Sequence, residues 1–170
     1  QKFRKNLKSA RRKLQAAGQL EYTSCAGDEQ RLQQLFGEYE VLESRGWKAR
    51  KGVGVSQSVE HLRFYRHLIH AFGNTGQFVF RCLRVDGHLV AATFGLVHER
   101  RFYSLHIAHD AAYSGCSPGT FLESLEPRKL GEYLIGGLAT SDLPEDFRSG
   151  YVALAREAQG AWSLAHAWGI

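Results

Sequence analysis

The chain has 170 residues, of which 44% are hydrophobic and 23% are charged, and its formal net charge is +5. These values are typical of a globular domain and exclude a disordered or fibrous chain. No apolar run approaches the roughly 18 residues of a membrane span. Three widely spaced cysteines and a charged N-terminus predict a cytoplasmic domain without disulfides. Because the sequence lacks methionine and opens on Gln1, we expect it to be a fragment of a longer protein, or to lack some of that protein's residues.

The positive charge is concentrated at the start of the chain. Residues 1–13 hold seven of the 22 basic side chains and no acidic one, whereas residues 14–170 hold 15 basic and 17 acidic side chains. Four apolar residues recur there at helical spacing: Phe3, Leu7, Ala10 and Leu14. We therefore predict a basic amphipathic helix over residues 1–19 that connects two lobes. A second interpretation brings Arg11 and Arg12 to a phosphate-rich ligand or an acidic surface.

Three more elements are predicted before the middle of the chain. Residues 20–25 alternate as in a short strand, and Asp28 is a suitable N-cap for a second helix. The glycine- and lysine-rich residues 45–58 are typical of a loop, which surrounds Trp47. A third amphipathic helix is predicted over residues 59–72.

Three consecutive antiparallel strands are predicted next. Residues 78–82 alternate in polarity, and the dipeptide Asp86-Gly87 is a strong hairpin signal. The apolar residues 88–98 are expected to form a central strand, and residues 102–110 form the following one. Strand periodicity predicts that three side chains of this last strand share one face: Tyr103, Leu105 and Ile107.

The remaining residues predict a loop that becomes a helix near Pro118 and ends before Pro127. A further strand is predicted over residues 132–137, and residues 144–170 are predicted to be mostly helical. Helices on a meander of strands give an α+β domain. We expect a mixed, mostly antiparallel central sheet flanked by helices.

One segment carries a chemical signal of its own, YSGCSPGTFL at residues 113–122. Gly115 and Gly119 lack a Cβ, so the backbone there can approach a ligand closely. Pro118 suits a first helical turn, where its missing N–H costs nothing. Free N–H groups at the start of the helix would favour a phosphate or pyrophosphate. An ordinary loop and cap would give the same pattern.

Several stretches resemble a known family: KFRKNL, ARRKL, a tryptophan in a glycine-rich loop, RVDGHLVAATFG and YSLHIAHDAAYSGCSPGTFL. Together they are similar to the acetyltransferase domain of the CelD/BcsL proteins associated with cellulose biosynthesis. That domain belongs to the GNAT acyltransferase superfamily and is related to the FemAB-type aminoacyltransferases. The resemblance covers roughly residues 2–125. In that family the domain commonly follows another lobe, which here would make residues 20–170 the acyltransferase domain and the preceding half a partner.

The resemblance implies a cofactor site. The sheet would splay between the strand at residues 102–110 and the next parallel strand, and an acyl-CoA would lie in the splay without any metal. The pantetheine arm would bond to the strand backbone at Ile107 and Ala108. The pyrophosphate would lie on the following loop and helix start, at Ser114, Gly115, Ser117, Gly119 and Thr120. A Tyr-Lys pair often follows in the family, and Lys129 could stand in its place.

Acyl transfer to an amine or hydroxyl needs a base for the acceptor and an acid for the leaving thiolate. His106 and His109 lie near the end of the predicted cofactor strand, and Tyr113 follows it. These three residues are the catalytic candidates, although histidines and tyrosines more often have structural roles. Cys116 is a weak candidate nucleophile, because no histidine or acidic partner can be assigned to it from spacing.

The favoured function is that of an acyl-CoA-dependent N- or O-acyltransferase, acting in exopolysaccharide or cellulose biosynthesis. One alternative is aminoacyl transfer from charged tRNA, which the basic first helix would support. The other alternative is a non-catalytic GNAT-fold module of a polysaccharide-synthesis assembly.

Overall fold

Helices and strands follow one another in an α+β order in the computed structural model, which describes residues 2–46, 48, 51–52, 54–98 and 101–125. The helices are α1 (Lys2–Ala17), α2 (Glu29–Ser44), α3 (Val59–Phe72) and α4 (Pro118–Ser124). The strands are β1 (Leu20–Cys25), β2 (Phe78–Val85), β3 (His88–His98) and β4 (Arg101–His109). Two 3-10 turns, Val55–Gln57 and Ala111–Cys116, precede α3 and α4.

The four strands form one antiparallel sheet in the order β1-β2-β3-β4. Asp86 and Gly87 form the tight turn between β2 and β3, and both have positive φ values, 49° and 77°. This is the backbone that a two-residue hairpin requires. The predicted α+β class and the three-strand meander are confirmed, and β1 pairs with β2 as a fourth strand of the sheet.

A β-bulge interrupts β4. Phe94 lies opposite His106, whereas the next residue of β3, Gly95, lies opposite Ser104, so Leu105 is the additional residue on β4. The prediction that Ile107 shares a face with Tyr103 and Leu105 is therefore wrong. The bulge shifts the alternation by one position, so that Ile107 lies on the face opposite to that of Leu105.

Helices α2 and α3 cover one face of the sheet. Asp28 accepts a hydrogen bond from the Arg31 backbone N–H at 2.9 Å, which confirms the predicted N-cap of α2. A core rich in aromatic residues lies beneath these helices, and its largest fully buried members are Phe36, Tyr39, Tyr65, Phe78, Phe80 and Phe94. Edge-to-face contacts such as Tyr39–Phe94, with ring centroids 4.9 Å apart, make this face dense.

Helices α1 and α4 cover the opposite face with a smaller core. Its buried members are Ala10, Leu14, Leu83, Val85, Val90, Ala91, Phe121 and Leu122. Of the apolar stripe predicted on α1, the second half is buried, whereas Phe3 is 48% exposed. Helix α1 thus packs against the sheet by its C-terminal half and presents a basic surface elsewhere.

Several sequence predictions lie outside the described residues: the strand at residues 132–137, the helices at residues 144–170 and the role of Lys129. The parallel strand from which β4 was expected to splay is among them. The domain boundary near residue 19 stays a prediction. Within the described residues β4 is an edge strand, and this edge is where the candidate site lies.

Candidate functional site

The outer edge of β4 presents backbone groups that do not pair with β3. In an antiparallel ladder, residue pairs that are hydrogen-bonded alternate with pairs that are not. The Asp110 N–H donates to the Val90 carbonyl at 2.9 Å, and this bond shows which pairs of β3 and β4 are of each kind. Ile107 and His109 fall at non-bonded positions, so their N–H and C=O groups are directed away from β3. Ala108 falls at a bonded position, and its backbone is directed towards β3. Of the two residues predicted to bond to the pantetheine arm, Ile107 presents its backbone groups at the outer edge and Ala108 does not. The other residue with outward backbone groups is His109.

A shallow cleft, partly open to solvent, lies against this edge. It is lined by Glu43, Gly46, Lys48, Ile107, Ala108 and His109. The end of α2 and the start of the following loop thus form the wall facing β4. A Cβ added at Gly46 would lie 3.2 Å from the Glu43 carbonyl oxygen and 3.4 Å from that of His109, which is tighter than most Cβ contacts. Glycine at this position lets the loop approach the strand.

Glu43 is a charged side chain within this wall that is only 1% exposed. Its Oε1 accepts from the Tyr39 hydroxyl at 3.2 Å, and its Oε2 accepts from the Ser56 backbone N–H at 3.1 Å. These bonds compensate for the loss of hydration of a buried carboxylate. Burial, followed by the neighbouring Glu43 charge, raises the pKa of Tyr39 well above its usual range. Glu43 therefore ties α2 to the far end of the loop.

Lys48 lies in the loop after α2 and reaches across the cleft to β4. Its Nζ donates to the outward carbonyl of Ile107 at 2.9 Å. Burial lowers the pKa of this amine, and the negative charge of Glu43 partly opposes that effect. The structure thus adds a desolvated amine to the cleft wall.

His106 lies on the other face of β4 from Ile107, in the aromatic core. Its Nε2 is 2.7 Å from the Tyr65 hydroxyl, and the two rings meet edge to face. The pKa of His106 is lowered to about 3, chiefly by burial and further by the charges of Lys48 and His61. The residue is neutral at physiological pH and packs beneath the strand, away from the cleft.

His109 lies beyond the bulge on the side of α4 and contributes to the cleft. Its Nδ1 would be 3.8 Å from a Cβ built at Gly119. Burial lowers the pKa of His109, while Asp110 raises it and Lys48 lowers it. A neutral, half-buried imidazole at this position can accept a proton.

The predicted phosphate loop follows directly after β4. Asp110 accepts from the Ala112 backbone N–H at 2.8 Å, which starts the turn. Ser117 adopts a left-handed conformation with φ of 50° and leads into α4. Three polar side chains of this loop and helix start are exposed, Ser114, Ser117 and Thr120, as is Gly115. Gly119 is buried without a positive φ, and a Cβ added there would make ordinary contact with Ile107 Cδ1 at 3.4 Å.

Helix α1 and Tyr113 support this loop from the side. The Lys13 Nζ donates to the Gly115 carbonyl at 2.9 Å, so the basic helix lies next to the predicted phosphate site. Tyr113 and Cys116 pack, partly buried, against the smaller core. Tyr113 therefore lies in the turn between His109 and α4, and it does not line the cleft.

Sequence reasoning missed Glu43 and Lys48. The available signal for Glu43 was its position four residues after Tyr39 on the helix face that is otherwise apolar. Lys48 is one of several cations in a glycine-rich loop, and nothing local distinguishes it. Their shared cleft forms only when the loop packs against β4.

The described part of the chain also bears on metal binding and on membrane insertion. Among those residues, no group of three or more His, Cys, Asp or Glu side chains could hold a metal ion. No described helix combines the length and the apolar character needed to cross a bilayer.

In a comparison with protein families, residues 1–125 match the acetyltransferase (GNAT) domain. The match covers most of the chain and includes all four strands, the cleft and the loop that leads into α4. The expected GNAT-like fold is confirmed, with a four-stranded antiparallel sheet flanked by helices. Proteins with this domain are generally acyltransferases that use acyl-CoA. This chain belongs to the GNAT acetyltransferase domain family.

Proposed function

We propose that the protein is an acyl-CoA-dependent N- or O-acyltransferase whose acyl-CoA lies along the outer edge of β4. The observation that carries this proposal is the cleft beside the outward backbone groups of Ile107 and His109. A pantetheine arm contains two amides, and an extended chain with amides can bond to a free strand edge as an added strand does. The Ile107 carbonyl has two lone pairs, so it can accept from a pantetheine amide and from Lys48 together.

The loop after β4 supports a position for the CoA phosphates. A Cβ at Gly115 would meet nothing within 4 Å, so the loop surface there is open. Ser114, Ser117 and Thr120 are exposed around it and offer hydroxyl groups. Lys13 adds a cation beside this surface. Hydroxyl, backbone and ammonium donors together suit a pyrophosphate.

Of the three catalytic candidates, His109 has the geometry that fits a general base. It lines the cleft and burial favours its neutral form, whereas His106 is enclosed by the aromatic core and Tyr113 lies in the turn. In the transfer, the acceptor nitrogen or oxygen attacks the thioester carbonyl, and the bond from that carbonyl carbon to sulfur breaks. His109 takes the proton from the acceptor, and the thiolate leaves and is then protonated. His106 positions β4 through its bond to Tyr65.

The resemblance to the CelD/BcsL proteins supports a role in exopolysaccharide or cellulose biosynthesis, with a sugar amine or hydroxyl as acceptor. All three cysteines are free, which fits a reducing compartment such as the cytoplasm. Aminoacyl transfer from tRNA and a non-catalytic scaffold role stay predictions of the sequence alone.

Isothermal titration of the full-length protein with acetyl-CoA and with longer acyl-CoAs tests the proposal. We expect saturable binding, competed by free CoA, because the phosphate loop and the strand edge recognise the shared CoA moiety. A comparison of chain lengths then shows how much acyl group the cleft accommodates. Absence of binding by every acyl-CoA would overturn the proposed function.

A further inference from the structure

Lys48 differs from the other described lysines in its surroundings. Lys5, Lys8, Lys13 and Lys51 are exposed, whereas Lys48 is half-buried in the wall of the cleft. Its Nζ lies 2.9 Å from the Ile107 carbonyl, at the strand edge along which the proposed function places the pantetheine arm. The amine is therefore held next to the path of an acyl thioester.

The bond to Ile107 does not prevent this amine from reacting. A neutral primary amine retains two N–H groups, so it can donate one to the Ile107 carbonyl and still present its lone pair to the cleft. Burial favours this neutral form, and Glu43 and His109 are the other ionisable groups that line the same cleft. A desolvated lysine of this kind is the form in which lysines act as nucleophiles.

We propose that Lys48 is a self-acylation site, which takes the acyl group from acyl-CoA when the cleft holds no acceptor. This inference rests on the proposed function. The Lys48 nitrogen attacks the thioester carbonyl, a carbon–nitrogen bond forms and the carbon–sulfur bond breaks. CoA leaves as the thiolate and gains the proton that the nitrogen loses, so the products are an acyl-lysine amide and free CoA.

The product would be a stable modification and not an intermediate of the main reaction. An amide is a much poorer acyl donor than a thioester, so the acyl group would not pass on to an acceptor. Acylation removes the positive charge of Lys48 and adds volume to the shallow cleft that Lys48 lines. The modified protein would therefore bind acyl-CoA and acceptor less well than the unmodified protein.

The experiment incubates the full-length protein with isotopically labelled acetyl-CoA, without acceptor, and locates the label by peptide mass spectrometry. We expect the label on Lys48 to exceed that on Lys51 by at least about tenfold, because an amine positioned beside a bound acyl-CoA reacts far faster than one that must meet it by diffusion. Desulfo-CoA, which cannot carry an acyl group, should suppress labelling of Lys48 and leave Lys51 unchanged. Acetyl phosphate, which lacks the CoA moiety, should show no preference for Lys48.

Two variants complete the design. Lys51→Arg should leave labelling of Lys48 unchanged, and Gly119→Val should reduce it in proportion to the loss of acetyl-CoA affinity. The inference is overturned if acetyl-CoA binds while Lys48 is labelled no more than Lys51, or if desulfo-CoA gives no protection. In those cases the proposed function stands. Absence of acetyl-CoA binding would instead overturn both.

Discussion

His106 and His109 lie close together on β4, yet they occupy opposite sides of the strand and different surroundings. His106 faces Tyr65 and Phe94 in the aromatic core, whereas His109 faces Gly119 and lines the cleft. Burial lowers the pKa of both imidazoles, so a lowered pKa alone does not identify the functional residue. Access to the cleft distinguishes them: His106 is a structural group, whereas His109 can meet a ligand.

The largest expected effect is the dependence of protein stability on pH that His106 causes. The folded-state pKa of His106 is lowered to about 3, below its usual value of 6.5, so the unfolded chain binds the proton more readily. Its contribution to stability is complete above that usual value and is lost as pH falls towards the folded pKa. The free energy of unfolding should decrease by about 1.4 kcal/mol per pH unit in this window, several kcal/mol in total. Urea titrations at a series of pH values measure this slope.

A His106→Leu variant separates this residue from the other groups that titrate at acidic pH. The pH slope of its stability should be shallower than that of the wild type, whatever its absolute stability. His109→Leu should change the slope less, because His109 is less buried. Equal slopes in the wild type and His106→Leu would show that the core histidine does not carry the effect.

Substitution of Gly119 is the best way to disrupt the proposed CoA site beside β4. Its Cβ position faces Ile107 Cδ1 and His109 Nδ1, so the branches of a valine would displace the strand edge from the helix start. Hydrogen bonds to charged phosphates contribute about 1.5–3 kcal/mol each, so the loss of two should weaken CoA binding by about a hundredfold or more. Gly37→Ala, on α2 and away from this loop, is the matched control, since its added methyl group meets nothing within 4 Å.

Calorimetry on the same variants separates binding from folding. We expect the melting temperature of Gly119→Val to fall by a few degrees, because a loss of about 1 kcal/mol shifts a protein of this size by roughly 2–4 °C. An unchanged CoA affinity in folded Gly119→Val would move the cofactor away from this loop. Collapse of the fold would show that the packing of α4 on β4 depends on this glycine.

Glu43 belongs to both the aromatic core and the cleft, because it lies beside Tyr39 and also lines the cleft. Glu43→Ala leaves the Tyr39 hydroxyl and the Ser56 N–H without their acceptor, which should cost about 2–3 kcal/mol of stability. Ser56→Ala removes a hydroxyl that lies 3.4 Å from Oε2 and keeps the backbone bond, so it should cost less than about 1 kcal/mol. Equal losses in the two variants, measured by urea titration, would contradict a role for the carboxylate in holding the loop.

The smallest expected effect is at Lys13. This side chain is exposed, so replacing it with alanine should change stability by less than about 0.5 kcal/mol. If it contributes to phosphate binding, Lys13→Ala should weaken CoA binding by a few-fold at low salt, and the difference should shrink at high salt. Lys5→Ala, on the same helix but earlier in the chain, provides the control. Titrations of both variants with CoA at two ionic strengths measure the change in affinity and its dependence on salt.

What the sequence could predict depends on how local the determining interactions are. The cap at Asp28 and the turn at Asp86-Gly87 are specified by neighbouring residues, and both were predicted correctly. The bulge at Leu105 has no glycine or other local mark, so the orientation of Ile107 was predicted wrongly. The meeting of Glu43 and Lys48 with β4 depends on how the loop packs in three dimensions, which no pattern along the chain reveals.

The bulge at Leu105 also sets how β4 tolerates a change in its length. Deleting this single residue would restore uninterrupted alternation and leave Ser104 and His106 on their present sides, because Gly95 already lies opposite Ser104 and Phe94 opposite His106. This part of β4 can therefore lose one residue without turning Ile107 and His109 into the aromatic core. An inserted residue without a second bulge would instead turn one half of the strand over, so a lineage can shorten β4 here more easily than it can lengthen it.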